Sequence, residues 1–169
     1  MAAAAQPKGS VSAGSIKPVT RKAVRCQREV AWLVTQAAGK LVATTDDVNA
    51  PTPSFVLAAA LSHAREQEQA AQDNGRAIDY EAVMGPDLAS FCAAVGLPTA
   101  PNALSDAGYM FTLSGANLIR DLYAYCSDLG ERMGDAVQVK PGYAIKLALR
   151  LFLLDGASAA TASDGKTSA

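Results

Sequence analysis

The chain has 169 residues, the size of one domain, with 50% hydrophobic but only 6% aromatic residues and a formal net charge of -1. Alanine and aliphatic side chains must therefore supply most of the core, which favours closely packed helices. The three cysteines and the single histidine lack metal-site spacing, and the longest apolar segment is too short to span a membrane. We expect reduced and mostly buried cysteines, no metal, no cofactor and a cytoplasmic protein.

Charge is distributed unevenly along the chain. Residues 1–28 contain six basic residues and no acid, whereas residues 29–135 contain fourteen acids against five basic residues, a net charge of -9. Residues 1–18 have almost no large apolar side chain, so their composition predicts a flexible basic arm. Residues 157–169 predict a disordered tail for the same reason. The helical domain is expected to span residues 19–156.

The first two predicted elements are helices. The larger apolar residues between 19 and 42 recur at helical spacing, which predicts one helix over that range. A second helix is predicted after Thr52, a capping residue that Pro53 follows at the first helical position, and it ends at Asn74-Gly75. Its second half is polar, so Glu66 and Glu68 are interpreted as solvated surface acids.

Three or four further helices are expected downstream. A short helix over 79–84 precedes one over 86–95 that Gly96 closes. Residues 109–113 fit a short strand or a helical turn, and we interpret them as helix or coil. Ser114 then caps a helix over 115–133, and a last helix begins at Pro141, is apolar on nearly all sides and ends before Gly156. The predicted fold class is all-α, a compact bundle of about five helices with disordered N- and C-terminal tails.

No catalytic motif is recognisable. His63 lies in the middle of a helix without a nearby glycine turn, so we interpret it as a structural histidine. Asp128 and Arg132 have the spacing of a surface ion pair. Four aromatic residues favour core packing, with stacking on bases as the alternative: Tyr109, Phe111, Tyr123 and Tyr125. We therefore expect no enzyme and no catalytic residues.

The basic residues at the start of the chain are the candidate binding site. Lys17, Arg21, Lys22, Arg25 and Arg28 continue the basic arm into the first predicted helix, where spacings of three and four place most of them on one face. Two readings stay open: a solubilising terminus, or an arm that contacts phosphates or an acidic surface.

The run NLIRDLYAYCSDLG at residues 117–130, together with a basic arm, an acidic helical body and a tail of small residues, resembles the coat proteins of filamentous plant RNA viruses. Those families place an arginine and an aspartate at an RNA pocket, so the resemblance implies that Arg120 and Asp121 are such a pair. The aromatic-rich motifs of the commoner members are absent. The resemblance implies an assembly role and a location in the virion.

We expect a non-catalytic structural subunit that self-associates and coats single-stranded RNA through the basic arm. A net charge of +6 in residues 1–28 beside a body of -9 can pair between neighbouring subunits. The alternative is a monomeric adaptor that offers a protein partner a groove between the second helix and the helix after Ser114. An enzyme that uses unidentified carboxylates ranks third.

Overall fold

The computed structural model describes residues 19–44, 51–99, 108–134 and 139–167, with side chains of the last range described up to Asp155. The described part is mainly helical, with one two-stranded antiparallel sheet. In chain order the elements are β1 (Arg21–Cys26), α1 (Glu29–Thr44), α2 (Pro53–Asp73), α3 (Tyr80–Met84), α4 (Leu88–Val95), β2 (Tyr109–Ser114), α5 (Ala116–Arg132) and α6 (Pro141–Thr167). The helical expectation is confirmed in outline, but a strictly all-α fold is wrong because of the sheet.

The start of the first predicted helix is a strand. β1 pairs antiparallel with β2, with Arg21 opposite Ser114 and Cys26 opposite Tyr109, and α1 begins only at Glu29. Val24 and Cys26 are buried while Ala23 and Arg25 are exposed, which is the alternation of a half-buried strand. The basic residues of this segment therefore do not share a helix face.

The segment predicted as helix or coil is the second strand, β2. Its inward residues Phe111 and Leu113 are fully buried, and its outward residues are exposed. Ser114 ends this strand and does not cap the next helix, whose N-cap is Gly115 with a φ of 113° and no side-chain cap hydrogen bond. The positive φ suits glycine, which has no Cβ to clash.

Helix ends that depend on local chemistry lie where the sequence predicts them. The Thr52 hydroxyl accepts a hydrogen bond from the Phe55 amide at 3.2 Å, and α2 ends at Asn74 before Gly75, whose φ is 64°. Gly96, with a φ of 72°, closes α4. The first turn of α4 begins slightly later than predicted, with Asp87 as its cap.

Helix α6 lies at the centre of the fold. It packs against β1 and against α1, α2, α3, α4 and α5. Its residues Ala144, Ile145 and those from Leu147 to Leu153 are buried, which confirms the prediction that this segment is enclosed on most sides. The helix continues to Thr167, so the predicted end before Gly156 is wrong. The division of the chain into arm, domain and tail stays a prediction.

Two charged side chains are buried in the core. Glu68 is 3% exposed and forms an ion pair with Arg132, so it is not the solvated acid that the polar second half of α2 predicted. Arg132 consequently does not pair with Asp128, whose carboxylate lies 3.4 Å from Arg65. Arg150 is fully buried on α6, and its Nη1 donates hydrogen bonds to the carbonyls of Val83 and Pro86.

Candidate nucleic-acid interface

Four of the six predicted binding residues lie together on β1 and the turn that follows it. Arg21, Lys22 and Arg25 are on the strand, Arg28 is in the turn before α1, and all four are exposed. Lys17 lies outside the described residues. Among the residues that the structure describes, Arg21, Arg25 and Arg28 form no ion pair, so their charges stay open to a ligand.

The strand divides these cations between two faces. The outer face of the sheet carries Arg21, Ala23 and Arg25, because Val24 and Cys26 occupy the buried face. Lys22 shares the inward direction of Val24 but lies at the start of the strand. Its Nζ lies 4.4 Å from the ring centroid of Tyr123 on α5, a cation-π contact.

Arg120, the sixth predicted residue, joins this region through Tyr123. It lies three positions before Tyr123 on α5, so the two side chains are neighbours on the helix surface. The Arg120 side chain is 73% exposed, and its Nε lies 3.7 Å from Asp121. The structure thus brings Lys22, Tyr123 and Arg120 to one part of the surface, although Asp121 offsets part of the Arg120 charge.

A groove of about 750 Å³ lies beside β1. Residues 23–27 of the strand and its turn form one wall, and Tyr123 and the first turns of α6 form another. Among the described residues, the lining includes the cations Arg25, Lys140 and Lys146 and the rings of Tyr123 and Tyr143, and it contains no aspartate or glutamate. A polyanion with stacking groups matches this lining in charge and chemistry.

The last helix carries only weak basic charge in the sequence. For this reason Lys140, Tyr143 and Lys146 were not predicted as part of the nucleic-acid interface. Lys146 is only partly available, because it forms an ion pair with Glu29 and donates a hydrogen bond to Gln27 at 3.0 Å. Lys140 precedes the helix and is exposed. The sequence did contain a signal for Lys140. Proline favours the first position of a helix, so Pro141 places Lys140 just before a helix start, where the chain is accessible.

The aromatic group divides between core and surface. Phe111 and Tyr125 are fully buried, which confirms core packing for those two, while Tyr109 and Tyr123 are half-buried. The Tyr125 hydroxyl donates a hydrogen bond to Glu68 at 3.2 Å, and burial raises the pKa of this tyrosine. Only Tyr123 therefore combines a basic neighbour with partial exposure.

The single histidine lies apart from this groove, and the three cysteines are buried, Cys26 among them in the groove wall. His63 is half-buried on α2, where its Nε2 lies 2.9 Å from Gln67 and 3.6 Å from Asp155. Its ring is therefore hydrogen-bonded within the fold, and its structural role stays a prediction. The three cysteines are free and buried, as predicted. Burial raises the pKa of the Cys26 and Cys126 thiols to about 11. In the described ranges, no group of three or more His, Cys, Asp or Glu residues could hold a metal ion.

The same groove lies near a buried ionic network. Glu29, at the start of α1, pairs with Lys146 and lies 3.5 Å from Nη2 of Arg150. Burial lowers the pKa of the Arg150 guanidinium, and the Glu29 carboxylate opposes that effect. The Arg150 guanidinium also lies over the Phe91 ring, 4.7 Å from its centroid. This network anchors α6 to α1 and α4, and so fixes the groove wall that α6 provides.

The sequence matches no protein-family model, and comparisons with curated proteins and with solved structures found no match. Within the described part of the chain, no helix combines the length and apolar character needed to cross a membrane.

Proposed function

We propose that this protein is a non-catalytic structural subunit that binds single-stranded RNA through the exposed cations of β1 and the preceding arm. The observation that carries the proposal is the set of four cations, Arg21, Lys22, Arg25 and Arg28, exposed along one strand and its turn. They lie beside a groove whose described lining contains no acid. Each cation can contact a phosphate and release condensed counterions. Because Tyr123 lies next to Lys22, it can add stacking on a base.

The strand arranges these cations in an extended line, which suits contact with an RNA backbone better than the predicted helix face would. Residues on one strand face repeat at about 7 Å, so Arg21 and Arg25 are about 13 Å apart along an extended line. A flexible single strand can follow such a line, whereas the net negative charge of the helical body repels RNA elsewhere. Binding is expected to be weak and indifferent to sequence, because these contacts read no base edges.

The test is a titration of a labelled single-stranded oligonucleotide, followed by fluorescence anisotropy. The parent is expected to bind with a salt slope of about -3 to -4, since most of the six cations at the start of the chain would contact phosphates. A variant in which Lys17, Arg21, Lys22, Arg25 and Arg28 become Gln should lose binding, and Arg120→Ala in the intact chain should weaken it. Retained binding in the five-fold variant would overturn the proposal.

Self-association is the second part of the proposed role. The basic start of the chain and the acidic body can attract each other between neighbouring subunits, which supports salt-sensitive assembly. A test by truncation should remove residues 1–18 only, because a deletion through residue 28 would also remove β1 and its buried residues Val24 and Cys26. Light scattering of the truncated chain should show reduced assembly at low salt. Unchanged assembly would contradict a role for the arm.

The resemblance of residues 117–130 to coat proteins of filamentous plant RNA viruses supports the same role. Both residues of its implied RNA-contacting pair, Arg120 and Asp121, are exposed on α5, and Arg120 lies one helical turn before Tyr123. We therefore propose a capsid-like assembly function, with the cytoplasm or a virion as the location. If Arg120→Ala changes neither RNA binding nor assembly, the coat-protein part of the proposal fails.

The adaptor reading is supported by a second groove of about 520 Å³ between α2 and the start of α5. Ala58, Leu61 and Leu118 supply apolar surface in it, and Arg65 and Asp121 supply charge. This location is the one that the sequence indicated for a peptide partner. Size-exclusion chromatography with the ratio of absorbance at about 260 to 280 nm separates the two readings. A monomer free of nucleic acid at high concentration favours the adaptor.

A further inference from the structure

In the part of the chain that the structure describes, β1 is paired along one backbone edge only. The Gly115 amide donates a hydrogen bond to the Thr20 carbonyl at 2.8 Å, and these residues are directly opposite in the register. Because hydrogen-bonded pairs alternate along an antiparallel ladder, Lys22, Val24 and Cys26 also point their backbone groups towards β2. The amides and carbonyls of Arg21, Ala23 and Arg25 therefore point to the other edge.

The opposite edge of the sheet is formed by β2, and a side chain forms hydrogen bonds with its outward backbone groups. The Ser54 hydroxyl, at the start of α2, accepts a hydrogen bond from the Ser114 amide at 2.9 Å and lies 3.4 Å from the Thr112 carbonyl. These are the outward backbone groups of β2 in the same ladder. Within the described residues, no comparable contact is made to the amide or carbonyl of Ala23. Among the described residues, the fold thus covers the edge of β2 and leaves the edge of β1 open.

The open edge borders the groove already described. Ala23, Val24 and Arg25 line the groove together with Met84 and Tyr143. Gly142 approaches the strand so closely that an added Cβ would lie 2.7 Å from the Arg25 carbonyl oxygen. The first turn of α6 therefore ends the open edge at Arg25, and the accessible backbone extends from Arg21 to the Arg25 amide.

We propose that this edge binds an extended, acidic segment of another protein as a third strand of the sheet. In such a strand, alternate side chains would point into the groove, towards Val24, Met84 and Tyr143, and the intervening ones would lie beside Arg21 and Arg25 on the outer face. Apolar residues suit the first set and carboxylates the second. Lys140 at the groove adds to the positive charge, and the part of the lining that the structure describes contains no acid.

A second copy of this chain fits the edge poorly. Antiparallel pairing of two β1 strands about Ala23 would place Arg21 of each copy opposite Arg25 of the other, and like charges directly opposite are destabilising. RNA phosphates accept hydrogen bonds from the edge amides but cannot donate to the carbonyls, so phosphate contacts alone leave the edge incompletely satisfied. A polypeptide supplies both donors and acceptors. The inference does not depend on RNA binding, although both ligands would use Arg21 and Arg25.

The probe is a fluorescein-labelled peptide of about seven residues that alternates Glu and Val, the length of a typical strand. A peptide that alternates Lys and Val is the control for charge, and a Glu-Val peptide with N-methylated edge amides is the control for backbone pairing. The parent protein is expected to bind only the first peptide. Equal binding of the N-methylated peptide, or no binding of the first, would overturn the proposal.

The decisive variant is Ala23→Pro, with Ala23→Val as its matched control. Proline removes the outward amide and fills the edge, yet it keeps every cation and every bond to β2. We expect Ala23→Pro to weaken binding of the Glu-Val peptide about tenfold, while Ala23→Val binds this peptide like the parent. A folded Ala23→Pro variant that binds the peptide as tightly as the parent would show that side-chain charge alone holds it. If a thermal melt shows that this variant is unfolded, the proposal is decided by the parent protein's binding of the Glu-Val peptide compared with its N-methylated form.

Discussion

Glu68 and Arg132 form an ion pair that joins the middle of α2 to the end of α5. The Glu68 side chain is 2% exposed and also accepts hydrogen bonds from the hydroxyls of Tyr80 at 3.0 Å and Tyr125 at 3.2 Å. One buried carboxylate therefore connects α2, α3 and α5. Its removal would leave three donors without their acceptor, one of them the hydroxyl of the fully buried Tyr125 and one that of the half-buried Tyr80.

Glu68→Ala should lower the free energy of unfolding by about 3 kcal/mol, because a buried ion pair and two hydrogen bonds lose their common partner. Urea-induced unfolding measures this change. Glu66→Ala is the matched control, since Glu66 is exposed on the same helix, and its effect should stay within about 0.5 kcal/mol. Similar values for both variants would contradict the central position given to Glu68.

The sequence did not reveal this network because its partners come from different helices. Glu68 follows Glu66 in a polar stretch, and local spacing offered Asp128 as the partner of Arg132. In the fold, α2 packs against α5, so Arg65 forms an ion pair with Asp128 and Arg132 forms one with Glu68. Local rules predicted the ends of α2 correctly because Thr52, Pro53 and Asn74-Gly75 act on their own neighbours.

The sheet was missed for a related reason. β1 is short, and cations at spacings of three and four concealed the alternation of Val24 and Cys26 with exposed residues. Its partner strand lies far away in the chain, so no hairpin turn indicated the pairing. Five of the six candidate binding residues are exposed cations in the described part of the chain, and their binding role stays a prediction. The groove and its α6 wall depend on tertiary packing, which the sequence does not reveal.

Leu151→Asp should unfold the domain. Leu151 is 4% exposed on α6, where a carboxylate would lose apolar packing and have no room for hydration. Val42→Asp is the control, because Val42 is exposed near the end of α1 and should tolerate the charge. Circular dichroism melting curves compare the two. If the Leu151→Asp protein has the melting temperature of the parent, the central position of α6 in the fold is contradicted.

Native thiols should react slowly at pH 8. The pKa of about 11 for Cys26 and Cys126 leaves about a thousandth of each as thiolate at that pH, and all three cysteines are buried. A chromogenic disulfide reagent should therefore titrate the cysteines only after unfolding. In the unfolded chain these thiols ionise near pH 8.5, whereas in the fold their pKa is about 11. The stability that the two buried thiols contribute is therefore complete below about pH 8.5 and is lost as the pH rises towards 11. Rapid reaction of a native thiol would identify a reactive cysteine that the structure does not predict.

The salt dependence of RNA binding in two single variants, Arg25→Gln and Arg76→Gln, tests the central claim most directly. Both residues are exposed arginines, so the change in net charge is identical, but Arg25 lies on β1 and Arg76 follows the end of α2. Arg25→Gln should weaken binding to single-stranded RNA and reduce the magnitude of the salt slope by about 0.7, the loss of one phosphate contact, while Arg76→Gln leaves the slope of the parent unchanged. Equal slopes in the two variants, or no binding by the parent at low salt, would contradict an RNA interface on β1.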